Sequence, residues 1–438
     1  MKPHQKMLVG IVTGAVAGLA ANALAKDAAW LTWTLANVAG PIGQIFLRLL
    51  FMLVIPMLFS ALVMGVCELD IKHLGRLGLK TLGYTVVVSA IAVAIGLLCV
   101  NVFRPGDGIS DEARALARQG TAIKAAPAMA SGAGSSLLVS MVPDNPVRAA
   151  AEGDMIGLIV FAIIFGIALA SLKTTGATRL KEMIQGLYEV SMKLIDGVLK
   201  LAPLGVGALL FSMTARLGVD VIGQIASYVG VVLLALSLHM FGVYSLSVKF
   251  LGGRSPIGFF KDCRLAIVTA FSTASSSGTL PTALKVAEEN LKLPKNVARF
   301  VLTAGSAMNQ NGTALFEGVT VLFLAQVFGV HLPLKDQIVV MFICVLAGIG
   351  TAGVPAGSIP VIAMILGRFN IPVEGLGLIL GVDRFLDMCR TTLNVTGDLA
   401  AAVYVARGEP HGADEQAPED GPGTPLLDPD ALSRAPAR

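Results

Sequence analysis

Long apolar runs alternate with short, mostly basic segments along most of the chain. Positions 45 to 66, 81 to 103, 154 to 172 and 222 to 248 are nearly free of charge, and each can cross a hydrocarbon layer that takes about 20 helical residues. With the runs from Met7 to Ala25 and over 184–214 they predict six conventional spans, at about 7–25, 41–66, 80–103, 154–173, 184–214 and 221–250. Met7 to Ala25 superficially resembles a signal peptide. It is long and lacks a convincing cleavage site, so it is read as the first span. One apolar run could be a buried core helix, but several in series predict an all-α integral membrane protein.

After Arg264 the texture changes. Ala270 to Pro281 reads AFSTASSSGTLP and Gly348 to Pro360 reads GIGTAGVPAGSIP, each with apolar arms around a tip of small polar residues. Such tips are too polar for lipid and must be packed in protein or line a cavity, so both segments predict re-entrant hairpins. Between them, Ala304 to Leu315 (AGSAMNQNGTAL) predicts a break in an apolar helix. Broken segments in a membrane protein expose carbonyls and helix ends that bind ions and carboxylates. Gly106 to Ser135, rich in Gly, Ala and Ser, predicts an exposed mobile loop, and the Pro- and acid-rich tail from Gly408 predicts disorder.

Composition narrows the class. The chain is 55% hydrophobic and 14% charged, against roughly a quarter charged in a soluble domain. Lys2 and Lys6, then Lys72, Arg76 and Lys80, then Lys173, Arg179 and Lys181, then Lys249, Arg254, Lys261 and Arg264 fall in alternate loops. The positive-inside rule makes these loops cytoplasmic, with the N-terminus inside. The basic residues between Arg104 and Arg148 break the alternation, but that loop is long and weighs less. The basic clusters flank spans without interleaved aromatics, which excludes a nucleic-acid reading. Cys67, Cys99, Cys263, Cys344 and Cys389 show neither disulfide nor metal spacing.

The last apolar helix, Val382 to Ala406, carries VDRFLDMCRTTLNVTGD near its start. At about 100° per residue, Asp383, Asp387, Arg390, Thr391, Asn394 and Asp398 share one arc of about 100°. Charges at membrane depth face protein or water and mark a functional pathway. An Asp387–Arg390 brace at i,i+3 is the structural alternative, yet three carboxylates against one guanidinium leave negative charge unmatched. Arg390 suits bidentate capture of a carboxylate, Asp387 an ammonium group, and Asp398 a hard cation.

RTTLNVTGD, SSSGTLP, the NQNGT break, GTAGVPAG and RLLFMLVIPMLFSALVMG at 48–65 together resemble the dicarboxylate/amino acid:cation symporters, the family of glutamate transporters and neutral amino acid exchangers, over about residues 7 to 408. The resemblance implies eight spans plus two re-entrant hairpins in a homotrimer, with a transport domain moving like an elevator. Residues 1–260 would be mainly scaffold, with spans 3 and 6 moving with the transport domain, 261–408 the transport core, and 409–438 a disordered tail. By matching position, Arg390 would bind the substrate side-chain carboxylate with Thr313 beside it, and Asp387 and Thr391 the amino group. Asn394 and Ser276 would bind the α-carboxylate, under backbone at Ala274 and Val354. Gly353 and Gly357 would let the second hairpin act as the gate. Members for C4-dicarboxylates lack the Asp at 387 and members for neutral amino acids lack the Arg at 390. Having both implies glutamate or aspartate, taken up across a bacterial inner membrane with both termini cytoplasmic, with no cofactor and no enzymatic activity.

The ion is less plainly implied. Sodium-coupled members carry Asn-Met-Asp-Gly-Thr where this chain has Asn309, Gln310, Asn311, Gly312 and Thr313, and a hydroxyl where Val88 stands beside Ser89. Loss of those ligands should disable one sodium site. A second, from Asp398, Asn309 and backbone at Gly305 and Asn394, is retained; a third, from backbone near Gly348, Ile349 and Thr351, has no side-chain signature. Glu317 lies one turn beyond Thr313 in an apolar run. A carboxyl group there can shed its charge, which suits a proton carrier, and proton-cotransporting members have Glu at this place. The alternative is a hydrogen-bonded structural acid, and His239, a second intramembrane titratable group, is read as structural. Proton coupling is therefore expected, with sodium coupling as the alternative; a C4-dicarboxylate symporter and a substrate-gated anion channel are the other readings. The partial VTGD match to an intramembrane aspartyl protease lacks a facing second carboxylate, and the serines of SSSGTLP lack a base.

Overall fold

The computed structural model describes residues 3–25, 28–68, 75–108, 142–152, 155–218, 220–350 and 358–409, and every regular element among them is helical. Helix α1 (Pro3–Ala25) precedes a rod made of α2 (Ala29–Thr34), a π turn over Leu35–Ala39, α3 (Gly40–Phe51) and α4 (Val54–Glu68). The second span thus begins near residue 29 rather than 41. Its extra turns carry the exposed Trp30 and Trp33, amphipathic rings of the kind that sit at a membrane interface and blur the apolar pattern. Then come α5 (Gly75–Phe103), α6 (Pro146–Glu152) and α7 (Met155–Ser171).

The run expected as one span over 184–214 is two helices, α8 (Thr175–Leu199) and α9 (Ala202–Leu217). Pro203 sits in the first turn of α9, where its missing N–H removes no helical bond. Helix α10 (Asp220–Ser237) continues through π turns and α11 (Tyr244–Leu246) to Leu251. The stretches Ala29–Cys67, Arg76–Phe103 and Val221–Leu251 are long and apolar enough to cross a membrane.

Helices α1 and α9 touch through their backbones. A side chain placed at Gly10 or Gly14 would collide with the main-chain oxygen of Pro203 or Gly207. Gly10, Gly14 and Gly18 recur at the four-residue spacing that lets membrane helices approach closely, a signal that the apolar-run reading passed over.

The first expected hairpin falls on two helices with a break between them. Helix α12 (Pro256–Thr273) ends at Ala274, which adopts a left-handed conformation (φ 49°, ψ 41°). Helix α13 (Ser276–Lys285) starts at once, with the Ser275 hydroxyl accepting from Gly278 N at 3.1 Å. The broken helix is α14 (Lys295–Met308) and α15 (Asn311–Val327), interrupted only at Asn309 and Gln310. The segment expected as the second hairpin contributes the helices α16 (Leu334–Gly350) and α17 (Ser358–Arg368). Its tip, with Thr351, Gly353, Val354 and Gly357, lies outside the described residues, as do most of the Gly106–Ser135 loop and the tail beyond Glu409.

The last helix, α18 (Leu376–Ala406), starts six residues earlier than its polar pattern indicated and forms the axis of the bundle. It packs against α5, α9, α10, α12, α13, α14 and α15, which explains why both its apolar and polar faces are buried. At its end, Arg407 donates to the carbonyls of Phe250 and Leu251 at 2.8 and 2.9 Å, and Lys80 pairs with Glu409 at 3.0 Å. These contacts tie α18 to α5 and to the end of the α10–α11 rod.

Candidate functional site

The predicted arc on α18 is buried throughout: Asp383, Asp387, Arg390, Thr391, Asn394 and Asp398 are each less than 9% exposed. Seven packing partners leave no lipid-facing side for them. Arg390 is the centre. Its Nε and Nη2 donate to the same oxygen, Asp387 Oδ1, at 3.2 and 2.8 Å, and its Nη1 donates to Ser358 Oγ at 2.9 Å. The guanidinium rests on the face of Phe316, 4.1 Å from the ring centre, a cation–π seat that strengthens out of water. A guanidinium has five N–H groups. One on each Nη therefore remains without a hydrogen bond among the described residues. Asp383 Oδ1 lies 3.3 Å from Nη1 without a hydrogen bond directed at it.

The expected brace between Asp387 and Arg390 is therefore real, and the expected charge surplus is partly corrected. Arg384, about 20° beyond the edge of the arc at 100° per residue, reaches back so that its Nη1 lies 3.7 Å from Asp387 Oδ2. Its long side chain carries charge to a face its Cα does not occupy. Helical angle alone missed this pairing, together with the seats supplied by Ser358 and Phe316. The signals were present as an Arg three residues before Asp387, a Ser at the start of α17, and a Phe beside Glu317.

One turn further, Asn394 stitches α18 to the break in the α14–α15 helix. Its Oδ1 accepts from Gly312 N at 2.7 Å, and its Nδ2 donates to Gln310 Oε1 at 2.6 Å and Thr313 Oγ1 at 3.1 Å. The break places the first N–H groups of α15 where they need acceptors, and Asn394 supplies one from another helix. Asn394 and Thr313 are thus brought together. Ala274 and Ser276 sit at the tip of the first hairpin, whose return helix packs on α18; both are buried, and Ser276 Oγ has no hydrogen-bond partner among the described residues.

Asn309 Nδ2 donates to Asp398 Oδ1 at 2.9 Å, while Asn309 Oδ1 is buried without a partner. A Cβ on Gly305 would come to 2.5 Å from Asp398 Oδ1, so only glycine admits the carboxylate there. An anionic oxygen beside an unused amide oxygen suits a hard cation. The neighbouring cluster differs. Ser89 donates to Asn311 Oδ1, Asn311 Nδ2 donates to the Tyr244 hydroxyl at 3.0 Å, and Tyr244 donates to Leu393 O at 3.2 Å. Those groups already satisfy one another, and Val88 beside them adds no oxygen.

Glu317 is fully buried on α15, and neither carboxylate oxygen has a hydrogen-bond partner among the described residues. His239 is also fully buried, with neither ring nitrogen hydrogen-bonded, its edge against Tyr244 at 4.8 Å.

Residues 4–408 match the profile of the sodium:dicarboxylate symporter family. Over 405 residues the chain is 32% identical to the proton/sodium-glutamate symport protein of Geobacillus stearothermophilus, covering 92% of this chain and 94% of that protein. It is 33% identical over 381 residues to the proton/glutamate-aspartate symporter of Escherichia coli, covering 86% of each. It is 31% identical over 415 residues to the C4-dicarboxylate transport protein of Rhodospirillum rubrum, covering 93% and 89%. A helical bundle with apolar spans, a buried charged axis and relatives of this kind has one assignment: the chain belongs to the sodium:dicarboxylate symporter family, whose members are membrane transporters.

Proposed function

We propose that this protein imports acidic amino acids, glutamate or aspartate, by proton-coupled symport. The observation that carries the substrate reading is the buried pair of Arg390 and Asp387, in which one N–H on each terminal nitrogen of Arg390 makes no hydrogen bond among the described residues, Nη1 lying also 3.3 Å from Asp383 Oδ1. Those N–H groups offer a carboxylate two charge-assisted bonds, and Asp387 offers an ammonium group its counter-charge. A C4-dicarboxylate would use the first feature and be repelled by the second. Thr313 would sit beside the side-chain carboxylate and Thr391 beside the ammonium group. Asn394 and Ser276 would take the α-carboxylate, Ser276 through a hydroxyl that has no other partner among the described residues. Backbone at Ala274 and at Val354 would close over the ligand, with Gly353 and Gly357 as hinges of the gate.

The coupling reading rests on Glu317. A carboxylate held without a donor in a dry interior is costly, so Glu317 suits carriage of a proton rather than a standing ion pair. Sodium coupling is the second reading, favoured by the retained oxygens of Asp398 and Asn309 with backbone at Gly305 and Asn394. The amide of Asn311 speaks against a further sodium on its side of the break. Residues 261–408, with the third and sixth spans, would form the moving core of a homotrimer in a bacterial inner membrane, both termini cytoplasmic.

The test is uptake of labelled glutamate and aspartate into proteoliposomes under an inward proton gradient without sodium. Accumulation is the expected result. Strict sodium dependence would overturn the coupling, and uptake of succinate alone would overturn the substrate. Currents that reverse at the chloride potential without substrate flux would point instead to a channel.

A further inference from the structure

The two oxygens of Asp387 are divided between two guanidinium groups of different character. Arg390 spends both of its bonds to this carboxylate on Oδ1, at 3.2 and 2.8 Å. It is 2% exposed and seated on Phe316. Oδ2 is left to Arg384, whose Nη1 lies 3.7 Å away and whose side chain is 53% exposed. One cation is thus fixed in the protein and the other sits on a flexible stem that can leave the carboxylate.

We propose that Arg384 is a specificity-determining residue that stands in for the ligand's ammonium group at Asp387 Oδ2. The inference rests on the reading of Asp387 as the ammonium site. When the site is empty, Arg384 neutralises the oxygen that Arg390 does not use. An amino acid displaces it, because an ammonium group held against Oδ2 needs the same space and supplies the same charge at shorter range. A ligand without an ammonium group leaves Arg384 where it is, and the masked carboxylate then repels that ligand less. Arg384 therefore weakens the binding of amino acids and eases the binding of dicarboxylates, narrowing the gap between the two classes.

Half-exposed ion pairs contribute modestly, so removing this one should change each affinity by about three-fold. The opposite signs make the ratio of the two the sensitive readout. The purified full-length protein, wild type and Arg384→Gln, would be titrated with L-aspartate and with succinate. The variant should bind aspartate about three-fold more tightly and succinate about three-fold less tightly, a change of about ten-fold in their ratio. Arg384→Lys, which keeps the charge, should stay within about two-fold of the wild-type ratio. Should the glutamine variant not fold, Arg384→Met gives the same readout. An unchanged ratio, or equal shifts of both ligands in one direction, would overturn the proposal, since a merely structural arginine would move both together. Wild-type protein that binds neither aspartate nor glutamate would instead overturn the substrate reading on which the inference rests.

Discussion

Replacing Glu317 by Gln isolates proton coupling from almost everything else. The side chain is fully buried on α15, and its two oxygens make no hydrogen bond with the described residues, so the substitution breaks no such bond and conserves shape. Folding should therefore be little affected, with apparent melting within a few degrees of wild type. What disappears is a group that can change charge inside the bundle. Each pH unit of gradient is worth about 1.36 kcal/mol per proton, which is about ten-fold in steady-state accumulation if one proton accompanies each substrate. Proteoliposomes with an alkaline interior and no sodium should therefore accumulate labelled aspartate about ten-fold more for wild type than without the gradient. The Glu317→Gln protein should respond to the gradient by less than about two-fold. Exchange of internal unlabelled for external labelled aspartate should continue, since it needs no net proton movement. Lowering the external pH should raise wild-type uptake and leave the variant's rate unchanged. A variant that still follows the gradient would show that the proton travels elsewhere, and one that loses exchange as well would assign Glu317 to substrate binding.

Further substitutions probe the rest of the site. Arg390→Ala should cost about 2–5 kcal/mol of binding for aspartate, at least about thirty-fold in affinity by titration; a smaller loss would deny the guanidinium its place at the carboxylate. Gly305→Ala drives a methyl group to 2.5 Å from Asp398 Oδ1, so any cation dependence of aspartate binding should be lost while binding in its absence persists. Unchanged cation dependence would remove Asp398 from that role. Gly14→Val should destabilise the α1–α9 contact by about 1–3 kcal/mol, seen as a lower melting temperature of the solubilised protein; wild-type melting would contradict the backbone contact.

The sequence made the helical bundle, the break at Ala274–Ser275, the broken helix and the polar arc legible because each depends on local pattern. A tip such as Ala274–Ser275 has to be polar and small, and α18 has to gather its charges on one side. The misses have equally physical causes. Pro203 looks the same to an apolar count whether it starts a helix or interrupts one, so α8 and α9 were merged. The start of α18 is apolar and glycine-containing, so nothing polar marks it. Pairings such as Asn394 with Gln310, 84 positions apart, arise from packing that no periodicity encodes. Arg384 escaped because angle on a helical wheel describes Cα positions, whereas a long side chain reaches its neighbour's face. The roles carried over for Thr391, Ala274 and Ser276 correspond to buried positions on or beside α18, without a bond that would single them out.

Asn394 has one acceptor and one donor group, and both are in use. A ligand oxygen that took the Nδ2 proton now held by Gln310 would release Gln310, whose own amide holds the Ser306 carbonyl at 3.0 Å, next to Gly305 and so beside Asp398. Occupancy at Asn394 would then be felt one turn away without any larger rearrangement. Linkage requires the converse with the same factor: whatever steadies the shell of Asp398 must alter ligand affinity at Asn394 equally. Two affinities measured in opposite orders, ligand against cation and cation against ligand, would have to return one and the same coupling constant, carried by a single glutamine amide.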